Sequence, residues 1–290
     1  MPVNFSLTQI LHVRIVFLYT NGMRGGLSFM KENHAVFHRT TSRILDILEL
    51  VAAEPDVHTL SSISQRLDLP KSSIFPILQE MTARNFLVLT KTQRYAIGFA
   101  AYCVGSSYLR QFHFLDAVGS VLEEMTNACQ EATHFAVLDK GDVLYLKKVN
   151  SPQPIRMISY VGNRVPAYAT ALGKALLMDD SLDELKALYP DGLTKITPQT
   201  IDRFDVLYAQ LQEAKKEGIT YEKEESNQYI RCAAVPVRKE GKIIAALSVA
   251  VPVFRYDEAK KRLIHRLLLD AQCKTEQMIS QLDIDVKDSL

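Results

Sequence analysis

Three short apolar stripes with helical spacing follow one another between residues 41 and 85 of the 290-residue chain. In each stripe, apolar side chains recur at spacings of three and four residues, which places them on one face of a helix packed against a core. The pattern therefore predicts three helices, the second with Thr59 as its N-cap and the third ending at Asn85. Their inward positions are Ile44, Ile47, Leu48 and Val51; Leu60, Ile63 and Leu67; and Ile74, Ile77, Leu78 and Met81.

The connections between these helices are as informative as the stripes. Three residues, Asp68-Leu69-Pro70, link the second helix to the third, a length typical of a helix-turn-helix corner. Residues 86–90 and 94–97 then have the pattern of two strands around the polar tip Lys91-Thr92-Gln93. Three amphipathic helices also fit other α-rich domains, but the short corner and the hairpin favour a winged helix-turn-helix.

The rest of the chain alternates between helix and strand patterns. A linker helix is predicted over residues 98–111, and hairpins packed with helices after it indicate an α+β sensor domain with an antiparallel sheet. The predicted strands are 133–138, 143–149, 155–160, 231–238 and 242–251. The predicted helices are 114–130, 171–178, 182–189, 201–217 and a C-terminal helix capped by Asp257.

These patterns divide the chain into five parts. Residues 1–38 are an N-terminal extension, 39–98 the winged helix-turn-helix, 99–113 the linker helix, 114–284 the sensor domain and 285–290 a tail. The apolar run over residues 5–19 is too short for a membrane span and lacks a basic flank and a cleavage site, so neither a membrane nor an exported protein is predicted.

The N-terminal extension is either disordered or outside the translated protein. Arg24-Gly25-Gly26 is compatible with purine-rich codons that resemble a ribosome-binding site, and Met30 follows at a short distance. One hypothesis is therefore that translation begins at Met30, which N-terminal sequencing of the native protein tests.

Composition narrows the class of protein. The formal net charge is +1, but between Arg66 and Arg94 five basic residues stand against two acidic ones, a local charge of +3 that suits phosphate contacts. The four cysteines form no C-x-x-C pair and the seven histidines show no metal-ligand spacing, so neither disulfides nor a metal nor a cofactor is predicted. A reducing cytoplasm suits such a chain.

The first turn of the third helix supplies the side chains expected to contact bases in a DNA major groove. These are Lys71, Ser72, Ser73 and Phe75, and phosphate contacts are expected from Arg66, Lys91 and Arg94. Other interpretations stay open, because Ser72 and Ser73 also suit helix caps and the hairpin tip also suits a purely solvated turn.

Candidate ligand chemistry lies in the second half of the chain. Thr170-Ala171-Leu172-Gly173, Glu222, Cys232 and Ser248 form a polar set among small residues, and the unpaired amides near Ala171 suit a carboxylate. Gly173-Lys174 is not a phosphate loop, since Ala175 follows it. An alternative is a thiol hydrolase with Cys232 as nucleophile, His134 as base and Glu222 orienting the base. Cysteines in apolar strands are mostly inert, so no enzyme is predicted.

From about Arg39 to Leu282 the sequence resembles the IclR family of bacterial transcriptional regulators. The resemblance rests on Leu60–Leu78 (LSSISQRLDLPKSSIFPIL), the wing end Arg94–Gly98, Pro166–Leu177 (PAYATALGKALL), Gly218–Ala234 (GITYEKEESNQYIRCAA) and Ala245–Val249. It implies a winged-helix DNA-binding domain, a linker helix and a GAF-like effector-binding domain, in a cytoplasmic homodimer or dimer of dimers.

The resemblance also implies partners and a ligand shell. The partners are double-stranded operator DNA and a small organic acid as effector, such as a keto, sugar or aromatic acid. Carried over by position, the effector shell is Met157, Ala171, Leu172, Glu222, Cys232, Ser248 and Ala250. Pro76 stands where the family often carries a polar residue, and a proline inside a helix removes a backbone donor.

Overall fold

The computed structural model describes residues 38–110 and 113–281. The predictions for the N-terminal extension up to residue 37, for a start at Met30 and for the tail over 285–290 lie outside the described residues. By its internal contacts the chain divides into two compact units, 1–111 and 112–290. In the described part, no helix has both the length and the apolar character needed to cross a membrane.

The N-terminal unit is a winged helix-turn-helix, as predicted. Its elements are α1 (Arg39–Ala53), α2 (Leu60–Arg66), α3 (Lys71–Ala83), β1 (Leu87–Leu89), β2 (Tyr95–Ile97) and α4 (Phe99–Arg110). The predicted stripes supply its core, with the buried side chains Ile47, Leu50, Val51, Ile63, Ile74, Leu78, Met81, Leu87 and Tyr95.

Two of the three predictions about helix ends in this unit are confirmed. Thr59 caps α2 in a reciprocal pair with Ser62, and Asn85 adopts the left-handed conformation just after α3, with φ of 59°. The capping role for Ser72 and Ser73 is wrong. Both serines lie inside the first turn instead of before it, and the Ser73 hydroxyl donates to a carbonyl oxygen, that of Pro70, at 2.7 Å.

The hairpin is tied to the loop between α1 and α2. The Tyr95 amide donates to the His58 carbonyl oxygen at 2.7 Å, and the Arg94 guanidinium donates to the Asp56 carbonyl oxygen at 2.6 Å. β1 and β2 pair in antiparallel register. The wing is thus held by the helical part of the unit as well as by its own pairing.

The C-terminal unit is a six-stranded antiparallel sheet with helices on both faces, which confirms the α+β prediction. The sheet order is β5-β4-β3-β8-β7-β6. In chain order the elements are α5 (His113–Cys129), β3 (Ala132–Asp139), β4 (Asp142–Val149), β5 (Arg164–Pro166), α6 (Ala171–Leu176), α7 (Leu182–Leu188), α8 (Phe204–Glu217), β6 (Thr220–Lys223), β7 (Ile230–Lys239), β8 (Lys242–Pro252) and α9 (Glu258–Gln281).

The strand predicted over residues 155–160 is wrong. Its alternation is real, since Met157 and Ser159 are buried while Ile158 and Tyr160 are exposed, but no strand forms there, and β4 pairs with β5 instead. The segment instead folds over the sheet, where Lys148 donates to the carbonyl oxygen of Ser159. Two short strands, β5 and β6, were not predicted, because three or four residues carry little pattern and, unlike β1 and β2, these strands are not joined by a short hairpin turn to a predicted partner.

The two faces of the sheet differ in side-chain size. One face carries large residues that pack against α5 and α9, including Phe135, Val235, Leu247 and Val249. The other face packs against α6 and carries small residues, including Ala136, Ala234, Ala246 and Ala250. The small face leaves room for α6 to lie close to the sheet.

A close backbone contact fixes the position of α6. A Cβ atom added to Gly173 would lie 2.0 Å from the carbonyl oxygen of Ala167, in the 3₁₀ turn before α6, so only glycine fits there. By contrast, a Cβ on Gly105 of α4 would meet no atom within 4 Å. The two helical glycines therefore have different roles.

We expect Gly173→Ala to destabilise the protein by about 1–3 kcal/mol or more, because a buried backbone must move to admit the methyl group. Gly105→Ala is the matched control and should be neutral or stabilising by up to about 1 kcal/mol, the gain from a better helix former. Chemical denaturation of both variants measures the difference, and a Gly173→Ala protein as stable as wild type would contradict this packing.

Candidate functional site

The exposed face of α3 is the first candidate site. Lys71, Ser72 and Phe75 are exposed and Ser73 is half-buried, while Ile74 on the opposite face is fully buried. Phe75 is an apolar side chain with 44% of its surface open to solvent. The start of α3 is therefore open to a partner, as the sequence predicts.

Two further residues share that face. Pro76 and Gln79 are both exposed, and sequence reasoning did not single out Gln79. Gln79 follows Phe75 by four residues, the helical spacing that could have identified it. Pro76 lacks the amide that would bond to the Ser72 carbonyl oxygen, and both residues are exposed, so water can supply the missing donor.

The predicted phosphate-binding cations differ in their surroundings. The Arg66 guanidinium forms an ion pair with Glu54 at 2.8 Å, and Arg94 donates to a backbone carbonyl oxygen at the base of the wing. Lys71 and Lys91 are exposed, and within the described residues neither has an ion pair. Of these four cations, the two without an ion pair or a bond to the backbone in the described residues therefore lie at the start of α3 and at the hairpin tip.

The second candidate site is a cavity between the small face of the sheet, the start of α6 and the segment that carries Met157. Its volume is small, about 10 Å³, which is room for about one water molecule. Six of the seven predicted effector-shell residues line it, namely Met157, Ala171, Leu172, Cys232, Ser248 and Ala250. The structure thus brings together residues that are far apart in the sequence.

Glu222, the seventh predicted shell residue, does not line the cavity. Its Oε1 accepts the amide protons of Glu225 at 2.5 Å and Ser226 at 3.0 Å, so the carboxyl group holds the turn that carries Ser226 into the cavity wall. Burial raises the pKa of Glu222 to about 7, although its hydrogen bonds to these amides and to Cys232 oppose the rise. Glu222 therefore acts behind the cavity wall.

Four other residues line the cavity and lie outside the predicted shell: His134, Tyr145, Thr170 and Ser226. The His134 Nε2 lies 2.9 Å from the Ser159 hydroxyl oxygen, and the ring packs edge-on against Tyr145. Thr170 accepts the Gly173 amide at 2.9 Å and so caps α6. A histidine within an otherwise apolar strand was the sequence signal for His134.

A buried ion pair joins α6 to the turn after β6. The Lys174 side chain is only 2% exposed, and its Nζ lies 2.6 and 2.7 Å from the two carboxylate oxygens of Glu225. Gln210 and the Tyr221 carbonyl oxygen supply further acceptors at 3.0 and 3.4 Å. Burial lowers the pKa of Lys174, and the Glu225 carboxylate opposes that fall.

The geometry does not favour the thiol-hydrolase arrangement. His134 bonds to the hydroxyl groups of Ser159 and Ser248, and no bond to Cys232 is found in the described part. Burial and the neighbouring Glu222 raise the pKa of Cys232 well above its ordinary value, so the thiol stays protonated. Among the described residues, no group of three or more His, Cys, Asp or Glu side chains is placed to bind a metal ion.

Comparison with known families covers most of the chain. The family model described as "Bacterial transcriptional regulator IclR C-terminal" matches residues 106–275, and that described as "IclR helix-turn-helix domain" matches residues 40–90. The HTH-type transcriptional regulator KdgR of Escherichia coli (strain K12) is 28% identical over 222 residues, which are 75% of this chain and 84% of KdgR.

Solved structures share the fold. The crystal structure of Thermotoga maritima IclR has a TM-score of 0.67 and 26% identity, over 83% of this chain and 98% of that one. The structure of an IclR homologue from Microbacterium hydrocarbonoxydans, complexed with 4-hydroxybenzoate, has a TM-score of 0.68 and 23% identity, over 82% and 99% of the two chains.

We expect Lys174→Met to lower the free energy of unfolding by about 3–5 kcal/mol, because it leaves the Glu225 carboxylate buried without a partner. Adding Glu225→Gln should recover part of the loss, since the uncompensated charge is then gone. Lys216→Met, which removes the solvent-exposed pair with Glu213, is the control and should change little. If Lys174→Met and Lys216→Met changed the free energy of unfolding equally in chemical denaturation, the Lys174–Glu225 ion pair would not stabilise the fold as proposed.

Proposed function

The chain belongs to the IclR family of bacterial transcriptional regulators, and from this we propose that a small organic acid, bound in the cavity lined by Met157 and Cys232, changes the affinity of the winged helix for operator DNA. The protein is a transcriptional regulator with a helix-turn-helix DNA-binding domain and a C-terminal effector-binding domain. We propose that the protein works in the cytoplasm, where the DNA lies, without enzymatic activity.

The observation that carries the DNA-binding proposal is the exposed first turn of α3. A recognition helix contacts base edges through its N-terminal residues, and Lys71, Ser72 and Phe75 are available there. Lys91 at the hairpin tip suits a contact with the phosphate backbone beside the groove. A local charge of +3 is small for tight binding, so we propose that a dimer, or a dimer of dimers, doubles the number of phosphate contacts.

The polar groups of the cavity support an acid as effector. His134, Ser226 and Ser248 place side chains that donate hydrogen bonds in the cavity wall, beside the apolar Met157 and Leu172. The related structure with bound 4-hydroxybenzoate is consistent with a carboxylic acid in this fold. The cavity volume of about 10 Å³ is far below the usual range for ligand cavities, so the walls must move apart even for a small effector.

We expect Lys71→Ala to weaken binding to the DNA fragment upstream of the protein's own gene and to reduce the salt slope by about one unit for each phosphate that the lysine neutralises. Lys186→Ala, an exposed lysine on α7 of the other unit, is the matched control and should leave both quantities unchanged. Fluorescence anisotropy at several KCl concentrations measures them. The proposed interface is wrong if the two variants behave alike.

Acids that bind the cavity should raise the melting temperature and shift operator affinity together. We expect a change in DNA affinity of about 5- to 150-fold, the usual size of coupling between two sites. A thermal-shift screen of keto, sugar and aromatic acids, followed by anisotropy with the hits, measures both effects. An acid that stabilises the protein without changing DNA affinity would argue for a sensor domain that no longer communicates with the winged helix.

A further inference from the structure

Two rows of side chains cross the sheet face that lines the cavity. In one row, Lys148 of β4 pairs with His134 of β3, which pairs with Ser248 of β8. In the next row, Cys232 of β7 pairs with Glu222 of β6. Directly opposed residues of antiparallel strands point to the same face, and three strands separate β4 from β6. Lys148 and Glu222 therefore mark opposite sides of the cavity.

These two sides differ in their charged groups. On the β4 side, Lys148 is partly buried and Arg156 is a second cation nearby. Burial, and to a smaller extent the charge of Arg156, lowers the pKa of Lys148. On the β6 side, the carboxyl groups of Glu222 and Glu225 lie near two cations, Lys174 and Lys223, and Lys174 forms an ion pair with Glu225. An anionic group in the cavity is therefore more stable on the β4 side.

His134 is a hydrogen-bonding group of the cavity wall toward the β4 side. Its Nε2 lies 2.9 Å from the Ser159 hydroxyl oxygen, and its Nδ1 lies 3.4 Å from that of Ser248. Burial, together with the charge of Lys148, lowers the pKa of His134 to about 3, so the ring is neutral at neutral pH and has one N–H donor. The 3.4 Å contact is long, so a ligand oxygen can replace it with little loss.

We propose that His134, held by Ser159, binds the carboxylate of the effector together with the Ser248 hydroxyl group, and that the uncharged end of the effector lies toward Cys232. This inference rests on the proposed function, because it takes the effector to be a small organic acid. It narrows that class to monocarboxylic acids. A second carboxylate would lie on the β6 side, near the buried and partly ionised Glu222, which disfavours it.

The experiment measures binding of pyruvate, gluconate and 4-hydroxybenzoate to the full chain by isothermal titration calorimetry. We expect wild type to bind at least one of them, and His134→Leu to bind it roughly 10- to 150-fold more weakly, as for loss of a hydrogen bond to a charged group. His134→Gln keeps an N–H donor and should recover part of the affinity.

Thr133→Val is the matched control. Thr133 precedes His134 on β3 and faces the opposite side of the sheet, where its hydroxyl group bonds to Thr126 at 2.9 Å. The variant thus removes a buried hydroxyl outside the cavity. It should lower the melting temperature while acid affinity stays within about twofold, because the Thr133 side chain lies on the face of the sheet away from the cavity.

Matched ligands test the charge directly. The amides of the three acids should bind wild type much more weakly than the acids themselves. Terephthalate and glucarate carry a second carboxylate at the end that is uncharged in 4-hydroxybenzoate and gluconate, and they should also bind more weakly than these two acids. Unchanged acid affinity in His134→Leu, or amides and dicarboxylates that bind like the parent acids, would overturn this inference and leave an acid effector intact. If none of the three acids binds wild type, the acid class fails and the inference fails with it.

Discussion

The cavity exists because one face of the central sheet carries side chains too small to fill it. The four alanines on this face, Ala136, Ala234, Ala246 and Ala250, alternate with large residues that pack on the opposite face. The short helix α6 lies close against the small face, and Gly173 permits this approach because its neighbour is backbone instead of a flexible side chain. The fold therefore combines a densely packed layer on one side of the sheet with a small cavity on the other.

The close approach of α6 brings charged groups into the interior, and each of them needs a partner there. Lys174 and Glu225 neutralise each other, and Glu222 accepts two backbone amides behind the cavity wall. These residues do not line the cavity, yet they set the position of Ser226, which does. The ligand site thus depends on residues behind the cavity wall, and substituting them would change the site by moving Ser226.

Much of the fold follows from local pattern. The helices of the N-terminal unit, the corner between α2 and α3, and the long strands of the sheet are all visible as apolar periodicity and turn residues in the sequence. The strand predicted over residues 155–160 is wrong for a physical reason. Alternating burial requires only that Met157 and Ser159 face the protein interior, and a covering segment satisfies this condition as well as a paired strand does.

The sequence by itself determined the winged helix, the α+β class and six of the residues that line the cavity, since local periodicity and family motifs are properties of short segments. Only the tertiary structure decided which distant residues meet. His134 contacts Ser159 and Ser248, which are 25 and 114 positions away, and Lys174 contacts Glu225 across 51 positions. Such contacts depend on strand order and register, because a shift of one residue turns every side chain of a strand to the other face.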